Sequence, residues 1–77
     1  MYTIRLTLVA ADSLKKLDAT TQRQVIHKIE SLKQELLLLG KPLKGPLKEY
    51  RSIRAAGQGY RIIYKVIESE IIVVVVS

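Results

Sequence analysis

The chain has 77 residues, with 13 Lys and Arg against 7 Asp and Glu, and a formal net charge of +6. A domain of that size has room for one core and a surface site, which argues against an enclosed cofactor pocket, and its positive balance fits an acidic partner such as nucleic acid, an acidic protein or an anionic membrane. Cysteine is absent, which rules out disulfides, thiolate metal sites and cysteine nucleophiles, and the longest apolar run, residues 71–76, is too short to span a bilayer. These features predict a single soluble, cytoplasmic domain over residues 1–77, with no cofactor and no metal.

In residues 2–9, Tyr2, Ile4, Leu6 and Leu8 alternate with Thr3, Arg5 and Thr7, the period of a half-buried strand. Arg5 then faces solvent or the site, a solvated strand position being the commoner case. Ala10, Ala11, Leu14 and Leu17 recur at helical spacing and predict a short amphipathic helix. A second helix is expected over residues 20–39, capped by Asp18 or Thr20, with Val25, Ile29, Leu32, Leu36 and Leu39 forming its apolar stripe. Gly40 and Pro42 are placed to end it. His27, the only histidine, stands among polar neighbours on that helix and reads as a surface residue, because it has no second histidine to act with.

Residues 40–49 carry two Gly and two Pro and read as a loop pinned by Leu43 and Leu47. Its lysines, Lys41, Lys44 and Lys48, extend positive charge toward the next segment and are candidate nucleic-acid contacts. That segment, YRSIRAAGQGYRIIY over residues 50–64, contains two strand-like runs, residues 50–55 and 60–67, joined by a connector with Gly57 and Gly59. A hairpin gathers Arg51, Arg54 and Arg61 onto one small sheet, and guanidiniums are shaped to grip phosphate through paired hydrogen bonds. Parity places Arg51 and Arg54 on opposite faces of their strand, so one site needs a bulge or bend there. On the second run Tyr60, Ile62, Tyr64 and Val66 share one face. Arg61, Ile63, Lys65 and Ile67 share the other, which puts Arg61 and Lys65 on the rim of a partly apolar surface. Glu68, Ser69 and Glu70 then turn the chain into residues 71–76, a continuous aliphatic run typical of a strand covered on both faces.

From its opening YTIRLT, through AADSLKKLDATTQRQVIHKI, to the Tyr-Arg-Ile-Ile-Tyr frame and IIVVVV, the chain resembles the RelE branch of the RelE/ParE toxin superfamily. The resemblance implies an α+β fold: an N-terminal strand, two antiparallel helices, then a three-stranded antiparallel sheet in the order βααβββ. One core is expected to hold Leu32, Leu36, Ile62 and Val74. The resemblance also implies the toxin of a type II toxin–antitoxin system, a metal-independent, ribosome-dependent endoribonuclease of messenger RNA. A cognate acidic, RelB-like antitoxin would neutralise it in a heteromeric complex. The family's basic positions fall on Arg51, Arg54 and Arg61, with Arg61 as the phosphate clamp; Lys41, Lys44, Lys48 and Lys65 would hold RNA. Two alternatives stay open. A ParE-like member would inhibit DNA gyrase by protein contacts, and relatives run on past the last strand into a basic, catalytic stretch, so a chain stopping at Ser77 could bind its antitoxin without cleaving.

Overall fold

The structure, a computed structural model, describes residues 2–39, 41–42, 45, 49–55 and 59–77, of which residues 35–39, 41 and 42 are described through their backbone. The elements are β1 (Thr3–Leu6), α1 (Leu8–Lys15), α2 (Ala19–Leu39), β2 (Lys41–Pro42), β3 (Arg51–Ala55), β4 (Tyr60–Ile67) and β5 (Glu70–Val76). The described strands form one sheet ordered β1-β5-β4-β3-β2, with β1 parallel to β5 and every other pair antiparallel. This is the α+β arrangement the resemblance implies, with the N-terminal strand closing one edge.

The first strand is shorter than its alternation predicts. Residues 7–9 leave it because Thr7 caps α1: its hydroxyl oxygen accepts from the Ala10 amide at 3.1 Å and donates to the Val74 carbonyl at 2.6 Å. Leu8, expected on the strand's buried parity, instead opens the helix and is exposed, whereas Ala10 and Leu14 carry α1's buried side. Asp18, not Thr20, caps α2, accepting from the Thr21 amide at 3.2 Å. Hydrogen bonds from Thr21 hold the Asp18 carboxyl below its ordinary range. A depressed carboxylate supports the fold above its unfolded pKa and loses that support as pH falls through the folded value. Acid melting of the wild-type protein should therefore contain an Asp18 component that Asp18→Asn removes, read as a flatter dependence of melting temperature on pH at the acid end.

Both helices lie on one side of the sheet, α1 against β5 and β1, and α2 across β1, β3 and β4. Between them and the sheet Val25, Leu32, Ile62, Tyr64, Ile71 and Val73 are fully buried. Leu32 and Ile62 thus meet in one core as predicted; the Leu36 side chain, Gly40, Leu43, Leu47 and Gly57 lie outside the described residues. Val74 does not join that core. Ile63 pairs with Val75 and Tyr64 with Val73, so Val74 is the extra residue of a bulge. A bulge shifts strand parity by one, and Val76 rather than Val74 returns to the helix side. Six aliphatic residues in a row carry no polar marker from which that shift could be read.

Three smaller features complete the frame. Residues 41–42, read as loop, form a two-residue edge strand, where Pro42 is tolerated because an edge position can lack an N–H partner. Glu70 belongs to β5, leaving Glu68 and Ser69 as the turn. Gly59 adopts φ 93° at the entrance to β4, a left-handed conformation that favours glycine even though a Cβ there would meet nothing within 4 Å.

Candidate nucleic-acid interface

The hairpin of β3 and β4 is in regular register: Arg51 pairs with Tyr64, Ile53 with Ile62, and Arg54 with Arg61. Ile53, Ala55, Ile62 and Tyr64 are buried, which assigns their parity to the helix side. The other parity, carrying the exposed Arg54 and Arg61, faces away from the helices. Residues directly opposite on antiparallel strands hold their Cβ atoms about 4.5–5.5 Å apart, and like charges so placed repel. Neither β3 nor β4 contains an acidic residue to relieve that repulsion. Two guanidiniums side by side on an open sheet, with no carboxylate on their own strands, form a cradle for an anionic oxygen pair.

 The cradle is formed by Arg54 and Arg61, and what surrounds it adds both charge and apolar surface. Lys65 shares the face with Arg61, its Nζ lying 5.3 Å from the centroid of the Tyr50 ring. Ile63, Ile72 and Val75 are half-buried between these cations and β1. The result is the basic rim around a partly apolar surface that strand parity predicts. Arg5 lies on the same face two strands from Arg61, where it is held by Glu70 at 3.0 Å. It therefore reads as an ion-paired strand residue.

Arg51 is not brought to this cluster. The register of β3 and β4 is unbroken, the bulge lies in β5, and Arg51 stays on the helix-side parity opposite Tyr64. There burial pushes the Tyr64 phenol up, and the Arg51 charge opposes that shift. The Tyr64 hydroxyl is buried and has no hydrogen-bond partner among the described residues. A buried hydroxyl left unpaired carries a desolvation cost of about 1–3 kcal/mol, so Tyr64→Phe should be neutral or stabilising by roughly 1 kcal/mol in urea unfolding. The raised phenol also sets a sign at high pH. Its contribution is intact below pH 10 and is lost as pH rises through the folded value, and the phenylalanine variant should lack that alkaline loss.

Of the candidate lysines, Lys65 is placed on the open face; Lys41 sits in β2 opposite Ser52, its side chain outside the described residues, and Lys44 and Lys48 are outside them altogether. His27 is exposed on α2. Among the described residues no group of His, Asp or Glu could hold a metal ion, and no helix is long and apolar enough to cross a membrane. The contribution of Tyr50 escaped the sequence reading. Its parity with Ser52 and Arg54 was the available signal, since all three alternate onto the open face.

A profile of the family described as ParE toxin of type II toxin-antitoxin system, parDE, matches residues 4–77. Among solved structures, the toxin–antitoxin complex RelBE2 from Mycobacterium tuberculosis is similar with a TM-score of 0.87 at 29% identity, over 99% of this chain and 95% of that one. The YoeB/ParE toxin from Agrobacterium tumefaciens gives 0.83 at 25% identity, over 99% and 95%. The isolated RelE toxin of E. coli gives 0.78 at 25% identity, over 100% and 83%. No curated protein matches the chain.

Proposed function

The chain belongs to the ParE toxin family of type II toxin–antitoxin systems, and from that premise we propose that it is an endoribonuclease toxin that cuts messenger RNA on the ribosome and is silenced by a cognate acidic antitoxin. The observation that carries this reading is the opposed pair Arg54 and Arg61 on the open face of the sheet. A shallow cationic surface suits a polynucleotide. RNA supplies its own nucleophile: the ribose 2′-oxygen attacks the adjacent phosphorus, its proton leaves, and the 5′-oxygen of the next nucleotide departs with a proton. The products are a 2′,3′-cyclic phosphate and a 5′-hydroxyl, so no metal or redox partner enters the balance.

Guanidiniums do not give up protons near neutral pH, so Arg54 and Arg61 act by holding the non-bridging oxygens and stabilising the charge that grows on them. Lys65 and the Tyr50 ring would position the strand, the cation on phosphate and the ring against a base. Arg51, on the opposite parity, has no part in this cradle. The resemblance in sequence to the RelE and YoeB/ParE toxins supports the ribonuclease reading.

A second reading, inhibition of DNA gyrase through protein contacts, is favoured by the family description, which names ParE. The deciding experiment adds purified, partner-free protein to ribosomes programmed with a defined message, and in parallel to gyrase on relaxed plasmid. Message cut only when ribosomes are present is the expected result. Loss of supercoiling with intact message would establish the second reading instead.

A further inference from the structure

β3 begins at Arg51, opposite Tyr64, so Lys65, Val66 and Ile67 of β4 run on past the last β3–β4 pair, held on their other side by Ile72, Ile71 and Glu70 of β5. Where the two chains part, a cleft of about 430 Å³ opens, lined among the described residues by Glu49, Lys65, Val66 and Ile67. Small-ligand sites usually span about 300–1,000 Å³, so the cleft has room for a single ring system. Lys65 and Ile67 share the parity of Arg61, which opens the cleft onto the face that carries the cradle.

The acid in this cleft calls for a reason. Neither strand of the hairpin contains a carboxylate, yet Glu49, just before β3, is exposed beside them. The ion pairs among the described residues, Arg5 with Glu70 and Lys33 with Glu30, do not include it, and the Lys65 ammonium lies over the Tyr50 ring at 5.3 Å. Phosphates repel a carboxylate, and an ionised carboxylate only accepts hydrogen bonds. What it can take from a polynucleotide is the N–H edge of an unpaired base.

We propose that the cleft is a base-reading subsite in which Glu49 selects guanine in the RNA strand held by the Arg54–Arg61 cradle; the inference rests on the ribonuclease reading. Single-stranded RNA is recognised through splayed-out bases, stacked on rings and hydrogen-bonded along their Watson–Crick edges. Guanine presents two adjacent donors there, N1–H and the exocyclic N2–H, which match the two oxygens of one carboxylate. Adenine and cytosine present a donor beside an acceptor, and uracil sets its N3–H between two carbonyl oxygens, so in each of them a lone pair meets the carboxylate. Lys65 stands four residues along β4 from Arg61, about 13 Å at roughly 3.3 Å per residue. The base read therefore belongs to a nucleotide further along the strand than the reacting ribose, with Lys65 on an intervening phosphate.

The test programs ribosomes with messages that differ only in the base at each position flanking the cut, and measures cleavage by the full chain. At one such position guanine should be favoured over uracil by roughly tenfold to a hundredfold, the discrimination of a bidentate base contact. Glu49→Ala should compress that ratio to near one. Glu49→Gln, whose amide sets a donor beside an acceptor, should turn the preference toward adenine. Both variants should melt with the wild type, since Glu49 is exposed. Arg54→Ala, in contrast, should lower cleavage of every message and leave the ratio standing. A ratio near one in the wild type, a preference for another base, or a guanine preference that survives Glu49→Ala would overturn the inference and leave the ribonuclease reading intact. Messages left uncut by the wild-type chain would overturn both.

Discussion

Leu32→Asp is expected to leave the isolated chain unfolded at room temperature. Leu32 is fully buried where α2 meets the sheet, and no charged residue is buried in that core among the described residues. An aspartate there has no buried cation to pair with, and burying such a group costs several kcal/mol even after it takes up a proton. Against this stands a total stability on the order of 4–12 kcal/mol for a domain of this length, at roughly 0.05–0.15 kcal/mol per residue. Leu32→Ala separates the effect of lost packing from that of charge. It should cost about 2–5 kcal/mol and lower the melting temperature by roughly 4–8 °C for each kcal/mol. Circular dichroism with urea titration checks both. An aspartate variant as stable as the wild type would mean that α2 does not pack on the sheet through this residue.

Arg61→Ala should lower message cleavage by about two to three orders of magnitude, the usual consequence of removing one preorganised donor from a developing oxyanion. The same substitution should leave the fold unharmed. Arg61 is exposed, and its backbone, which exchanges hydrogen bonds with Ser77 at 2.6 and 3.0 Å, is untouched by a change of side chain. Removing one member of a directly opposed like-charge pair should even raise stability by a few tenths of a kcal/mol. Arg54→Ala should behave in the same way. Activity falling while the melting temperature holds or rises is therefore the signature of the cradle. A folded Arg61→Ala protein that cuts message at the wild-type rate would remove the cradle from the reaction.

Much of the architecture was legible because periodicity is a local property. The α2 stripe of Val25, Ile29 and Leu32 repeats at helical spacing, and all three are buried. The alternation along residues 60–67 correctly divided Ile62 and Tyr64 from Arg61 and Lys65, because a strand sends successive side chains to opposite faces. The resemblance carried the order of elements. What the sequence determined about the site is the charge, the choice of arginine over lysine at three hairpin positions, and the face each would take in a regular strand.

Which of those residues stand together was decided by pairing, and pairing depends on residues far apart in the chain. Arg54 and Arg61 are opposed because β3 and β4 meet in one particular register, whereas the same unbroken register keeps Arg51 with Tyr64 on the helix side. Thr7 could as well have continued a strand; its hydroxyl reaches Val74, 67 positions away, and ends β1 at Leu6. The bulge at Val74 is equally invisible in a run of valines, because shifting parity by one residue costs such a run no polar group to betray it. The parallel pairing of β1 with β5 joins the two ends of the chain, and only that contact places the N-terminal strand at the sheet's edge. Local pattern thus determined what each element is and which side it buries, and long-range hydrogen bonding decided which side chains share a surface.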